Sequence, residues 1–86
     1  MAERTSLAHI VREKLEVGAL PFSNPATLMA GIGSGRTCSV CGYPIRPSQT
    51  EIQPRYDENR SLLVFHLVCH GLWDAERRLR RYRRHD

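Results

Sequence analysis

Two pairs of soft donors set the terms on which this chain can fold. Cys38-Ser39-Val40-Cys41 is followed, 24 residues later, by His66-Leu67-Val68-Cys69. A C-x2-C turn brings two thiolates to one side of a metal ion. An H-x2-C pair, placed on the first turn of a helix, supplies two more donors from the other side. Three thiolates and one imidazole make a tetrahedral zinc set, and all three cysteines of the chain fall into it. The imidazole has two candidates. His66 and Cys69 stand at i and i+3, so both can point to one metal. His70 adjoins Cys69, and neighbouring helical residues diverge. His66 is therefore preferred over His70, which reads as solvated or as a hydrogen-bond partner of the ligands. His9 and His85 read as surface residues.

Length gives the metal its weight. A chain of 86 residues has a high surface-to-volume ratio and buries a thin core. Small scaffolds of this size commonly need a staple. Structural zinc contributes on the order of 10 kcal/mol or more to folding, against a total of about 5–15 kcal/mol for a typical domain. Three cysteines cannot all pair as disulfides, and their spacing argues for a reducing compartment. Met1-Ala2-Glu3-Arg4-Thr5-Ser6 lacks the basic and apolar regions of a signal peptide. No apolar run approaches the ~20 residues of a membrane span. The expectation is a cytoplasmic protein with no membrane contact.

Charge is placed unevenly. Residues 77–84 carry six arginines and no acid, whereas residues 1–76 hold seven Lys/Arg and eight Asp/Glu. Lys14 is the single lysine. The formal charge of +4 thus belongs to one terminal segment.

The remaining pattern suggests an α+β arrangement. Leu7, Ile10, Val11 and Leu15 share one helical face, so residues 6–17 read as a helix capped by Thr5 or Ser6 and stopped at Gly18. Its apolar face is expected to pack on the metal module, a partner-binding helix being the alternative. Residues 18–37 read as a Gly/Pro-containing linker, with Phe22, Leu28, Met29 and Ile32 covering part of the core. The Gly31–Gly35 cluster lacks the flanking residues of a phosphate loop. Glu51–Tyr56 and Ser61–Phe65 have strand character and are joined by a turn at Asp57–Arg60, with Ile52, Leu62, Val64 and Phe65 inward. A last helix spans about His66–Arg83, with Val68, Leu72, Ala75, Leu79 and Tyr82 as its apolar stripe. Trp73 reads as a core aromatic that shields the site. Asp74–Arg78 and Glu76–Arg80 are spaced as helical ion pairs. The chain divides into an N-terminal helix and linker, 1–37, and a zinc module, 38–86, within one structural domain.

The order of knuckle, hairpin and helix-borne ligands is that of a treble clef. The span from Cys38 to Cys69 resembles the zinc finger of poly(ADP-ribose) polymerases. It shares Pro44-Ile45 after Cys-x-x-Cys and an aromatic, Phe65, before His-x-x-Cys. The ligand spacing is also similar to that of LIM modules. Lys14-Leu15, Gly18, Leu20-Pro21 and Gly33-Ser34-Gly35 look like those of small uncharacterised bacterial zinc proteins. The resemblance covers roughly residues 38–76. It implies metal ligation by Cys38, Cys41, His66 and Cys69, and for the polymerase-type finger a role at DNA ends.

Four good ligands leave no open position for water, and neither H-E-x-x-H nor the deaminase order of ligands is present, so no enzyme and no small-molecule substrate are expected. Two functions remain. Arg77, Arg78, Arg80, Arg81, Arg83 and Arg84 form a dense positive end whose guanidinium forks match phosphates, with Tyr82 able to stack on a base; this points to nucleic acid. Arg36, Arg46, Arg55 and Arg60 could extend that surface. The alternative is a zinc-stabilised adaptor or small regulator that docks on a protein through the same arginines, the knuckle or the first helix.

Overall fold

The computed structural model describes residues 2–57 and 62–84. Helix α1 spans Ala2–Glu16, strand β1 Thr27–Ile32, strand β2 Thr50–Arg55, strand β3 Phe65–His66 and helix α2 Leu67–Arg84. The strands form one antiparallel sheet in the order β1-β2-β3. The expected α+β class is the observed one, with α1 packed on α2 and α2 packed on strands β2 and β3.

The apolar face expected of the first helix is the one that docks. Val11 and Leu15 are buried, with Leu7 and Ile10 half-buried beside them. The helix starts at Ala2, so Thr5 and Ser6 lie inside it and do not cap it. Beyond Gly18 the Leu20 amide returns to the Lys14 carbonyl at 3.0 Å, and Leu20 drops into the core. There the chain meets α2: Trp73 Nε1 donates to the Pro21 carbonyl at 3.1 Å. Arg12 of α1 pairs with Glu76 of α2 at 3.2 Å.

Residues 18–37 are not merely a linker. Thr27–Ile32 forms β1, paired along its length with β2 from Thr27↔Arg55 to Ile32↔Thr50. The pairing continues irregularly toward the knuckle. Gly33 donates to Gln49, Gly35 donates to Ile45, Ile45 donates to Arg36, and Thr37 bridges Pro44. The result is one kinked antiparallel ribbon with Cys38–Cys41 at its tip. Gly33 makes the kink possible: a Cβ there would lie 2.0 Å from the Arg46 carbonyl oxygen. Leu28, Met29 and Ile32, expected to cover the core, are exposed because α2 packs on β2 and β3 and leaves β1 uncovered. Phe22 alone of that group packs on the core.

The expected hairpin survives in reduced form. β2 pairs with β3 over Glu51↔His66 and Ile52↔Phe65 only. Residues 62–64 are not strand, and Leu62 is exposed while Ile52, Val64 and Phe65 are buried. Glu58, Asn59, Arg60 and Ser61 lie outside the described residues.

Helix α2 buries a different face from the expected one. Cys69, Trp73 and Arg77, at i, i+4 and i+8, point inward, while Val68, Ala75 and Leu79 are exposed and Leu72 is half-buried. Trp73 stacks on Phe65 at 5.1 Å, and the Arg77 guanidinium lies 4.6 Å from the Trp73 ring centre on that same inner face. Trp73 and Phe65 are the largest fully buried side chains of the described core.

Candidate metal centre

Four donor atoms converge where the ribbon tip meets the start of α2. One ligand atom from each of Cys38, Cys41, His66 and Cys69 lies within 4.8 Å of the others. A tetrahedral site with metal–sulfur bonds of about 2.3 Å has sulfur–sulfur edges of about 3.8 Å, so a small contraction closes this cluster on one ion. Cys38 and Cys69 are buried, and Cys41 and His66 are half-buried. His66 is the last residue of β3 and Cys69 lies on the first turn of α2, so the second ligand pair spans the strand–helix junction.

The knuckle is held by its own backbone. Cys38 N–H donates to the Tyr43 carbonyl at 2.9 Å, Gly42 N–H donates to the Cys38 carbonyl at 3.1 Å, and Val40 N–H points at Cys38 Sγ at 3.4 Å. Gly42 has φ +82°, a left-handed conformation that a side chain disfavours. Ile45, fully buried just beyond, pins the exit from the turn.

His66 is oriented from behind. Its Nδ1 lies 3.3 Å from Cys41 Sγ, while its Nε2 lies 3.2 Å from the Pro44 carbonyl oxygen. A carbonyl only accepts, so Nε2 carries the proton and Nδ1 presents its lone pair to the sulfurs. This is the usual way a metal-binding imidazole is fixed.

The sulfurs show why a cation belongs here. The Cys69 thiol donates to Cys38 and, with the amides of Cys41, His66 and Val40, brings Cys38 down to about 4 against the opposing effect of burial. Cys69 is pushed up as the donor to Cys38, and further by burial. Burial pushes Cys41 up, and the Cys38 charge adds to it. In the absence of a cation, the Cys38 thiolate is favoured and those of Cys41 and Cys69 are disfavoured. A positive ion at their centre would favour all three thiolates together. The donor set thus fits one metal ion.

Three supports were not anticipated from the sequence. Lys14, the single lysine, reaches from α1 to the knuckle, where its Nζ donates to the carbonyls of Ser39 at 2.8 Å and Val40 at 3.1 Å. Ser39 exchanges bonds with Val64: its amide donates to the Val64 carbonyl at 2.8 Å, and its Oγ accepts from the Val64 amide at 3.2 Å. Buried Glu51 accepts from the Ser34 amide and hydroxyl and from Gln53. Lysine, serine and glutamate carry no local signal for such roles, because every partner but Gln53 is at least 17 positions away.

His70 is not part of the cluster. It is half-buried, 6.1 Å from the Phe65 ring and 5.7 Å from Trp73, and burial pushes its pKa down. His9 is exposed and pairs with Glu13 at 3.3 Å. His85 lies outside the described residues.

The arginines divide. Arg77, expected at a contact surface, is only 3% exposed. Its guanidinium donates to Asn24 Oδ1 and pairs with Asp74 at 2.6 Å, in addition to covering Trp73. Asn24 and Asp74 engage its two terminal nitrogens in the core, while its Nε is buried without a hydrogen-bond partner among the described residues. Arg78 is 72% exposed in its side chain and takes the expected pair with Asp74, at 3.0 Å. Glu76 is engaged by Arg12 from α1. Arg80, Arg81, Arg83 and Arg84 are on α2, and their side chains, like that of Tyr82, lie outside the described residues. Arg36, Arg46 and Arg55 are exposed, and Arg60 is outside the described residues.

An open groove of about 980 Å³ flanks the cluster, lined by Cys41, His66 and Cys69 together with Leu7, Tyr43 and Val68 among others. No described helix is long and apolar enough to cross a membrane. Compared with protein-family models, curated proteins and solved structures, the chain matches none.

Proposed function

We propose that the chain is a zinc-stapled module that binds nucleic acid through the arginine-rich end of α2. The metal is a single structural zinc held by Cys38, Cys41, His66 and Cys69. The ribbon tip, short hairpin and helix start make a treble-clef-like arrangement around it, as in the polymerase-type finger the sequence resembles. Zinc suits three thiolates and an imidazole, and four protein donors leave no position for a reacting water. The module is accordingly not an enzyme.

One observation carries the nucleic-acid reading. Cys69, Trp73 and Arg77 anchor α2 to the core, and past that anchor Arg78, Arg80, Arg81, Arg83 and Arg84 follow without an acid among them. The helix C-terminus favours one or two cations; five exceed what helix stability asks for. Arginine pairs with phosphate bidentately, and such contacts release counterions.

A protein-docking role is the second reading, favoured by the groove beside the cluster and by Tyr43, 71% exposed at its edge. Titrating the zinc-loaded protein into labelled single-stranded DNA, duplex DNA and RNA across a salt series separates the two. Binding with a steep salt slope, lost when Arg78, Arg80, Arg81, Arg83 and Arg84 are replaced by glutamine, supports the first. Absence of binding near physiological salt rejects it and leaves the docking role.

A further inference from the structure

We propose that β1 is a self-pairing edge, through which two copies of the chain join into one six-stranded antiparallel sheet with its two-fold axis at Ala30. Each copy contributes the three strands already described. This inference is independent of the nucleic-acid reading.

The edge is unusual in being left open. All six residues of β1 are exposed, and among the described residues the strand pairs on one side only. Natural sheets protect such an edge with lysine, proline, a bulge or a covering element. Thr27-Leu28-Met29-Ala30-Gly31-Ile32 contains no charge and no proline, and four of its six residues are apolar side chains. Ile32 is 79% exposed.

Register identifies a second copy as the occupant. Directly opposed residues of antiparallel strands share a face. Leu28 and Ala30 lie opposite Pro54 and Ile52, which are buried, so they and Ile32 extend the core face of the sheet beyond its last strand. Two identical strands related by a two-fold axis keep their core faces on one side only when residues of like parity oppose each other. Centring on Ala30 does this. It sets Leu28 against Ile32 of the second copy, Ala30 against Ala30, and Met29 against Gly31, so large side chains meet each other or a residue with none.

The backbone agrees. Gly33 donates to Gln49, its opposite number in the β1–β2 register. Alternation along an antiparallel ladder then turns the amides and carbonyls of Thr27, Met29 and Gly31 toward β2, and those of Leu28, Ala30 and Ile32 toward the open edge. These are the residues that the Ala30 axis brings into reciprocal hydrogen-bonded pairs. Charge agrees as well. Glu51, opposite Gly31 on β2, falls in the row of Met29 and Gln53 of the second copy, so no like charges face each other across the junction.

The test is sedimentation equilibrium of the zinc-loaded chain from micromolar to millimolar concentration. The expected result is a reversible monomer–dimer equilibrium with twice the monomer mass at the upper end. Ala30→Lys, which sets two ammonium groups on the axis, and Ile32→Lys should each return the monomer mass, with unchanged zinc content and far-UV spectrum. Leu79→Lys, on the exposed face of α2, should leave the dimer intact. A monomer at every concentration overturns the proposal. So does a dimer that persists in both β1 variants, or one that only Leu79→Lys dissolves.

Discussion

The Pro44 carbonyl oxygen and His66 Nε2 lie 3.2 Å apart, and this contact selects which imidazole nitrogen faces the sulfurs. Pro44 sits on the ribbon and His66 at the end of β3, so the knuckle that supplies two ligands also orients the third. In the zinc-loaded protein His66 should therefore show a protonated Nε2 and a metal-bound Nδ1. Long-range proton–nitrogen correlation spectra of the imidazole distinguish the two tautomers directly. A metal on Nε2 would refute the assignment.

Cys69→Ala should abolish stoichiometric zinc binding and cooperative unfolding together. Cys69 is both a ligand and a buried residue of the core, one turn before Trp73. Loss of zinc removes on the order of 10 kcal/mol, as much as a domain of this size has to lose. Metal analysis and thermal melting followed by circular dichroism check this. A variant that melts cooperatively with one zinc still bound would place the metal elsewhere.

Arg77 and Arg78 are adjacent and should behave oppositely. Arg77→Ala removes charge-assisted bonds to Asn24 and Asp74 and the cover over Trp73, and should cost about 2–4 kcal/mol. Arg78→Ala removes an exposed pair and should cost less than about 1 kcal/mol. Urea denaturation of the zinc-loaded variants measures both, and equal costs would contradict the burial difference.

Glu51 should tie stability to acid pH. Hydrogen bonds from Gln53 and then Ser34 hold its carboxyl below the unfolded value of 4.5. A group with a depressed folded pKa stabilises the fold fully above the unfolded value, and loses that contribution as pH falls through the folded one. Glu51→Gln should be less stable than the parent at neutral pH by about 1–2 kcal/mol. The gap should narrow below pH 4.5 as the carboxylate becomes protonated; metal release at low pH affects both proteins alike and leaves the comparison intact. Denaturation curves at a series of pH values check the sign; a gap that widens on acidification would exclude a stabilising carboxylate.

What was legible in the sequence was local. The spacing of Cys38, Cys41, His66 and Cys69 is set by turn and helix geometry, and the face of Leu7, Ile10, Val11 and Leu15 by helical period. Both patterns depend only on near neighbours. The face of α2 is not legible because Arg77 counts as polar in any periodicity, and it enters the core with Asp74 and with Asn24, 53 residues away, as partners. β1 was hidden among glycines and prolines, and its apolar residues suggested burial where the structure leaves them bare. Alternation points Leu62 inward, but the strand it implies is only two residues long, Phe65–His66, and Leu62 lies outside it.

The kink at Gly33 has a consequence for how this chain tolerates change. With the Arg46 carbonyl occupying the place of a Cβ, and backbone on both sides of the clash, no neighbouring side chain can swing away to admit one. Two positions earlier, a Cβ on Gly31 would meet nothing within 4 Å. In a saturation-mutagenesis map scored by thermal stability, Gly31 should accept alanine at little cost and Gly33 should accept nothing. A ribbon that looks uniformly glycine-rich is then one free codon beside one frozen codon, and the frozen one sets how far the cysteine-bearing tip can drift over evolutionary time.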